Sequence, residues 1–283
     1  MKIVISDLDG TLLHTQTYSF DAAQPALDRL RKERIPLVLC TSKTRAEVEH
    51  WRGRLDNDEP FIVENGGALY VPRGYFGFPL EGAAQRDGYE VIEFGAPYAD
   101  LVKALQDASK ESACEVLGFH QMTVAEISVR TLLPVRQAEM AKQREYDEPF
   151  EILGTGTHTL LRAIEDRGYR WTRGDRYYHI TGKHEKALAV RGLIALSHRA
   201  FGPMTTIGLG DGYNDAHFLN SVDIPVIIRS RAAMGLKVSV PAADITAAPG
   251  PHGWNEGVLN ILRATGIPGG RSSVSGMPRV ALV

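Results

Sequence analysis

Cysteine is scarce in this chain, with Cys40 and Cys114 the only two, which excludes a disulfide framework and fits a reducing compartment. The bland account of both thiols is that of small buried hydrophobes. Charge of one sign is also missing. A net charge of −2 speaks against a nucleic-acid surface, which would show a basic excess. No apolar stretch reaches bilayer length, and no succession of charged, apolar and small residues opens the chain. The expectation is therefore a cytoplasmic protein with no membrane partner and no nucleic-acid partner. Oligomeric state is not legible, and no internal repeat is present. What remains is 283 residues, 43% hydrophobic and 23% charged, an ordinary globular composition long enough for two lobes.

Residues 1–80 alternate β-branched apolar runs with amphipathic helical patterns: Ile3 to Ser6, Asp21 to Lys32, Pro36 to Cys40, Arg45 to Arg54 and Phe61 to Val63. The same texture returns after residue 183, with a helix from Glu185 to Ser197, a strand from Thr205 to Leu209, a helix from Asp215 to Ser221 and a strand from Pro225 to Ile228. Such alternation implies an α/β fold, doubly wound around a mostly parallel sheet, with functional groups at the carboxyl ends of its strands. Between the two halves lie a strand at Tyr89 to Phe94, a helix at Tyr98 to Lys110 and a helix opened by the capping box Thr123…Glu126. A helix at Arg136 to Arg144, a strand at Phe150 to Leu153, a helix at Thr157 to Arg167 and a strand at Tyr177 to Thr181 follow. The domains expected are thus a core of residues 1–81 and 182–265, an inserted α+β cap of residues 82–181, and a Gly/Ser/Pro-rich tail at 266–283 that reads as a loosely held end.

Three strand ends carry the chemistry. Ile3-Val4-Ile5-Ser6-Asp7-Leu8-Asp9-Gly10-Thr11 places two carboxylates where an apolar strand empties into a loop, with Gly10 allowing a sharp exit. Close carboxylates repel unless a proton or cation lies between them, and a hard divalent ion such as Mg2+ is the economical resolution. An Asx-type turn explains the same decapeptide without chemistry. Leu37 to Arg45 ends a strand with Thr41, Lys43 and Arg45 near a helix start, groups suited to phosphate, although Thr41 alone also suits a turn or cap. Thr205 to Asp215 ends in glycines with Asp211, Asn214 and Asp215, a second oxygen-rich cluster that a simple N-cap explains only in part. Adjacent parallel strand ends lie roughly 5 Å apart, so Asp7, Asp9, Thr41 and Asp211 can share one pocket. Lys186, at the first turn of the helix after 183, can offset the negative charge; Lys183 is its rival, and each taken alone reads as a solvated lysine.

In this order, Asp7-Leu-Asp9-Gly-Thr11, Thr41, Lys186 and Gly210-Asp211-Gly-Tyr-Asn214-Asp215 resemble the four motifs of the haloacid dehalogenase-like phosphatases, over residues 1 to about 263. The resemblance implies that Asp7 is the nucleophile of an aspartyl-phosphate and Asp9 the general acid and base. It further implies that Thr41 and the lysine hold phosphoryl oxygens, that Asp7, the Asp9 carbonyl and Asp211 ligate Mg2+, and that Asp215 and Asn214 position the metal's water shell and the phosphoryl group of the substrate. The chain departs from the family in having Lys186-Ala187 where Lys-Gly is usual, and Tyr213 where a smaller residue is common.

The inserted module resembles the larger caps of the sugar-phosphatase branch. Thr41 to Glu47, Phe61-Ile-Val-Glu64-Asn65-Gly66-Gly67, Gln143-Arg144-Glu145-Tyr146-Asp147-Glu148-Pro149-Phe150 and Gly250 to Glu256 resemble, within that branch, the phosphatases of mannosyl-3-phosphoglycerate. A substrate with a phosphate, a carboxylate and sugar hydroxyls gives Lys43, Arg45 and Arg144 anions to contact and Glu148 a sugar. An exposed i,i+4 ion pair is the competing account of Arg144 and Glu148. Glu64 and Asn65 are expected to order the pocket and Trp254 to pack the last helix. Rival readings are a phosphatase of glucosyl-3-phosphoglycerate, sucrose phosphate or smaller sugar phosphates, a phosphoryl-transfer mutase, and a non-catalytic binding module of the same fold.

Overall fold

The computed structural model describes residues 1–173 and 177–265, and the tail at 266–283 lies outside the described residues. Helices and strands alternate from the start: β1 (Lys2–Ser6), α1 (Gln24–Glu33), β2 (Leu37–Cys40), α2 (Arg45–Leu55), β3 (Phe61–Val63), β4 (Ala68–Pro72), β5 (Ala84–Arg86) and β6 (Tyr89–Glu93). Then come α3 (Tyr98–Ser112), β7 (Val116–Gly118), α4 (Val124–Thr131), α5 (Val135–Ala141), β8 (Asp147–Ile152), α6 (Thr157–Asp166), β9 (Arg170–Arg173) and β10 (Tyr178–Thr181). The described residues close with α7 (Lys186–Phe201), β11 (Thr205–Gly210), α8 (Ala216–Leu219), β12 (Ile224–Arg229), α9 (Ala233–Ser239), β13 (Asp244–Pro249) and α10 (Gly250–Thr265).

Among the described residues two sheets result, a nine-stranded one in the order β13-β12-β11-β1-β2-β3-β4-β6-β5 and a four-stranded one in the order β7-β8-β10-β9. From β13 to β3 the large sheet is parallel, and β1 pairs with both β11 and β2. A central parallel strand is covered on both faces, which is why Ile3, Val4 and Ile5 are all buried instead of alternating with polar residues. Val4 faces a core completed by Leu27, Trp51 and Trp254, while Ile3 and Ile5 face Val190, Leu193 and Phe218.

Beyond β3 the sheet turns antiparallel through β4, β6 and β5. Ala84–Arg86 and Tyr89–Glu93, grouped with the insertion from sequence, therefore hydrogen-bond into the large sheet, and the small sheet with its helices occupies 98–181. In that smaller layer Leu101, Leu105, Phe150, Ile164 and Ile180 form a separate core. The box at Thr123 and Glu126 caps α4, and an equivalent box of Thr44 and Glu47 caps α2.

Candidate active site

Register places the functional groups. Ser6 is opposite Leu209 on one side and Leu39 on the other, so the residues following β1, β2 and β11 emerge side by side at one edge. Asp7 continues the ladder by donating its backbone N–H to Leu209 at 2.9 Å. Carboxylate oxygens of Asp7, Asp211 and Asp215 lie within 4.8 Å of one another. Between them Lys186 Nζ sits 2.7 Å from Asp7 Oδ1 and 2.7 Å from Asp215 Oδ1. Lys186 is buried at the first turn of α7, whereas Lys183 is exposed, so the geometry puts Lys186 in the cluster. A buried Ala187 stands behind it where the family has glycine.

Burial pushes the Asp7 carboxyl well above the usual carboxylate range, against the pull of Lys186 and with added repulsion from Asp215 and Asp211. Asp211 is pushed up to about 7, first by burial and then by the Asp215 charge. Lys186 is held above the ordinary lysine value: burial opposes its charge, and Asp215 and Asp7 outweigh that. This is a nest of carboxylates short of positive charge, with all-oxygen donors of the kind that suit a hard divalent cation.

Neighbouring groups fix the nest in place. Thr11 Oγ1 donates to Asp211 Oδ1 at 3.0 Å, and Asp215 Oδ2 accepts the backbone N–H groups of Asp211 and Gly212, each at 3.0 Å. Both Asp215 oxygens are thereby engaged. Gly10 has φ +77°, and a Cβ there would stand 2.5 Å from Asp211 Oδ2, so the loop closes only with glycine. Trp254, fully buried as expected, does more than pack: its Nε1 donates to Ser6 Oγ at 2.9 Å, and Ser6 Oγ donates to the Asp7 carbonyl at 2.7 Å. Thr41 is buried, and its hydroxyl accepts the Lys43 N–H at 3.3 Å.

Asp9 does not join the acid nest with its carboxylate. Its Oδ2 pairs with Lys43 Nζ at 2.9 Å, and Oδ1 is shielded without a hydrogen-bond partner. Asn214 Nδ2 donates to Asn65 Oδ1 at 3.1 Å, linking two strand-end loops. Glu64 is buried and turned toward the small layer, its two oxygens accepting the N–H groups of Glu145 at 3.0 Å and Tyr146 at 2.9 Å. Burial, reinforced by Asp147, pushes its carboxyl up to about 8.

Residues singled out in the insertion are held by protein partners. Arg144 donates to the carbonyls of Ala141 at 2.9 Å and Ser42 at 3.1 Å and approaches Asp147 at 3.6 Å. Glu148 accepts from Tyr98 Oη at 2.6 Å and from the His120 backbone at 3.1 Å, and its Oε1 lies 2.7 Å from His120 Nδ1. The exposed Arg144–Glu148 ion pair is thus replaced by two buried networks. Arg45 pairs with Glu145, Asp87 and Glu49. Tyr213 is exposed, its ring lying against Gly235 of α9. Thr11 and Glu47 lay within quoted motifs without a role of their own, although the spacing Thr44-x-x-Glu47 signals a capping box, and sequence reasoning missed Tyr98 and His120.

Residues 4–75 match the family model of haloacid dehalogenase-like hydrolases. A glucosyl-3-phosphoglycerate/mannosyl-3-phosphoglycerate phosphatase of Methanococcoides burtonii is 39% identical over 264 residues, 92% of this chain and 97% of its own length. The mannosyl-3-phosphoglycerate phosphatase of Pyrococcus furiosus is 34% identical over 228 residues, 81% of this chain and 91% of its own. Among solved structures, a haloacid dehalogenase-like hydrolase from Bacteroides thetaiotaomicron superposes with a TM-score of 0.64 at 17% identity, covering 93% of this chain and 99% of its own. A sugar phosphatase of subclass IIB superposes with a TM-score of 0.63 at 19% identity over 94% of this chain and 99% of its own, a likeness of fold. Among the described residues no helix is long and apolar enough to cross a membrane.

Proposed function

This chain belongs to the haloacid dehalogenase-like hydrolases, and from that premise we propose that it is a Mg2+-dependent phosphatase that converts mannosyl-3-phosphoglycerate to mannosylglycerate and phosphate. The observation that carries the reading is Lys186 Nζ at 2.7 Å from both Asp7 and Asp215, beside Asp211, at the ends of two adjacent parallel strands. Phosphoryl transfer asks for in-line placement and neutralised oxygen charge more than for covalent machinery.

The Asp7 carboxylate attacks phosphorus while the bond to the substrate oxygen breaks, and Asp9 gives that oxygen its proton. Water, deprotonated by Asp9, then attacks the phosphorus of the aspartyl-phosphate and frees Asp7 and phosphate. Lys186 and Thr41 hold the phosphoryl oxygens. Asp7, Asp211 and the Asp9 carbonyl would hold Mg2+, which when bound supplies charge neutralisation on the phosphoryl oxygens. The raised carboxyls of Asp7 and Asp211 support that fit, because a cation relieves the repulsion that burial magnifies. Asp215, with both oxygens engaged, orients Lys186 and the Asp211 loop. Asn65 and Asn214 are the polar groups available to a substrate beside this cluster, and Arg45 and Arg144 hold the phosphate loop against the insertion.

A second reading, that the enzyme also accepts glucosyl-3-phosphoglycerate, is favoured by the double name borne by the Methanococcoides burtonii relative. Phosphate release with Mg2+ from both glycosyl esters, with hexose phosphates as controls, tests the proposal. Strong preference for the phosphoglycerate esters is expected, and equal rates on all esters would contradict it.

A further inference from the structure

Asp9 and its surroundings show more than an acid near a nucleophile. A general acid and base has to keep one carboxylate oxygen aimed at the substrate, and a partly exposed side chain does not do so unaided. Asp9 is such a side chain, with 40% of its surface exposed, yet its two oxygens are treated differently. Oδ2 is bound to Lys43 at 2.9 Å, while Oδ1 is screened from solvent with no partner. Lys43 is itself immobilised: its side chain is 8% exposed, Nζ lies 3.4 Å from Glu47 Oε1, and it stands 5.2 Å above the Tyr18 ring. Glu47 is locked in turn, since its Oε2 accepts the Thr44 N–H at 3.0 Å and the Thr44 hydroxyl at 3.1 Å in the capping box of α2.

The geometry points to Lys43 as a positioning residue for the acid–base carboxylate: anchored by Glu47 and Tyr18, it pins Asp9 Oδ2 and leaves Oδ1 as the proton-carrying oxygen. This rests on the phosphatase reading above and deepens it. The first turn of α2 thereby does two jobs, presenting Thr41 and its loop to phosphate and setting the rotamer of a residue on a different strand end. A lysine that only bound the substrate's anions would face the open site and would need neither the buried Glu47 nor the aromatic ring beneath it.

Leaving-group dependence separates the two roles. In single turnovers with enzyme and Mg2+ in excess, p-nitrophenol departs without needing a proton, whereas phenol does need one, and neither ester carries a carboxylate. Lys43→Met is expected to slow phenol release from phenyl phosphate roughly 10²-fold while leaving p-nitrophenol release within about threefold of the parent enzyme. Lys43→Arg should recover most of the phenyl phosphate rate. Glu47→Gln, which keeps the lysine but loosens its anchor, should show the same selective slowing in weaker form, and it serves if the Lys43 variant does not fold. Equal slowing of both esters would mean that Lys43 holds the phosphoryl group, and no slowing of either would mean that it holds nothing; both overturn the inference. If the parent enzyme releases phosphate from these esters and the variants fail in that way, the phosphatase reading survives alone. A parent enzyme inert on every phosphomonoester would remove both.

Discussion

Two groups of buried acids in this molecule have opposite fates. At the edge of the large sheet Asp7, Asp211 and Asp215 crowd one another around a single lysine, and burial drives Asp7 and Asp211 toward their protonated forms. On β8 of the small sheet Asp147 and Glu148 are fully buried, but each has its own histidine: His179 Nδ1 is 3.0 Å from Asp147, and His120 Nδ1 is 2.7 Å from Glu148. The Asp147 carboxyl is held below its usual range, because the neighbouring His179, with Arg144, outweighs burial. Burial of an acid is thus not itself a sign of function; the deficit of positive charge is. A satisfied acid builds structure, and an undersupplied one waits for a ligand.

Breaking the contrast at its strongest point, Asp7→Asn should reduce turnover on the order of 10⁵-fold or more while the protein stays folded, read by phosphate release and circular dichroism. Removing the one cation of the crowded cluster should hurt stability instead: Lys186→Met leaves buried carboxylates uncompensated and is expected to cost about 3–5 kcal/mol in urea unfolding. In the satisfied group, Glu148→Gln should cost about 1–3 kcal/mol, because an amide cannot accept from all three donors, with KM for the glycosyl ester within about threefold. A large rise in KM there would make Glu148 a substrate contact and erase the difference between the two groups. The smallest effect is on pH. Asp211, near pKa 7 when folded against roughly 4 unfolded, keeps a proton in the native state that the unfolded chain gives up. Its stabilising contribution is therefore complete below about pH 4 and is lost as pH rises through 7. Mg2+ takes the proton's place, so added Mg2+ should raise the melting temperature more at pH 8 than at pH 5.

The crowded cluster was legible because strand register places it. Once Ile3 to Ser6, Leu37 to Cys40 and Thr205 to Gly210 read as neighbouring parallel strands, Asp7, Thr41 and Asp211 had to emerge together. The choice between Lys183 and Lys186 was not legible, since it turns on the residue at which α7 begins. For β8 the alternation of a strand tells which face a residue takes but not which histidine arrives opposite it. Tyr98 and His120 come from 50 and 28 residues away. The sheet to which β5 and β6 belong was not legible for a similar reason: both are short and partly polar, and only the pairing of β6 with β4 and of β5 with β6 shows it. Trp254 was read as packing, and the bond from its indole through Ser6 to the Asp7 carbonyl joins residues 248 apart in the chain.

The central claim, that Asp7 in this undersupplied cluster is the phosphoryl acceptor, is tested most directly by slowing the second half of the reaction. Asp9→Asn, incubated with Mg2+ and p-nitrophenyl phosphate, quenched in acid and analysed by mass spectrometry, should carry one phosphoryl group on the peptide containing Asp7, and the Asp7→Asn variant should carry none. A phosphoryl group on another residue, or turnover that proceeds with Asp7 replaced, would contradict it.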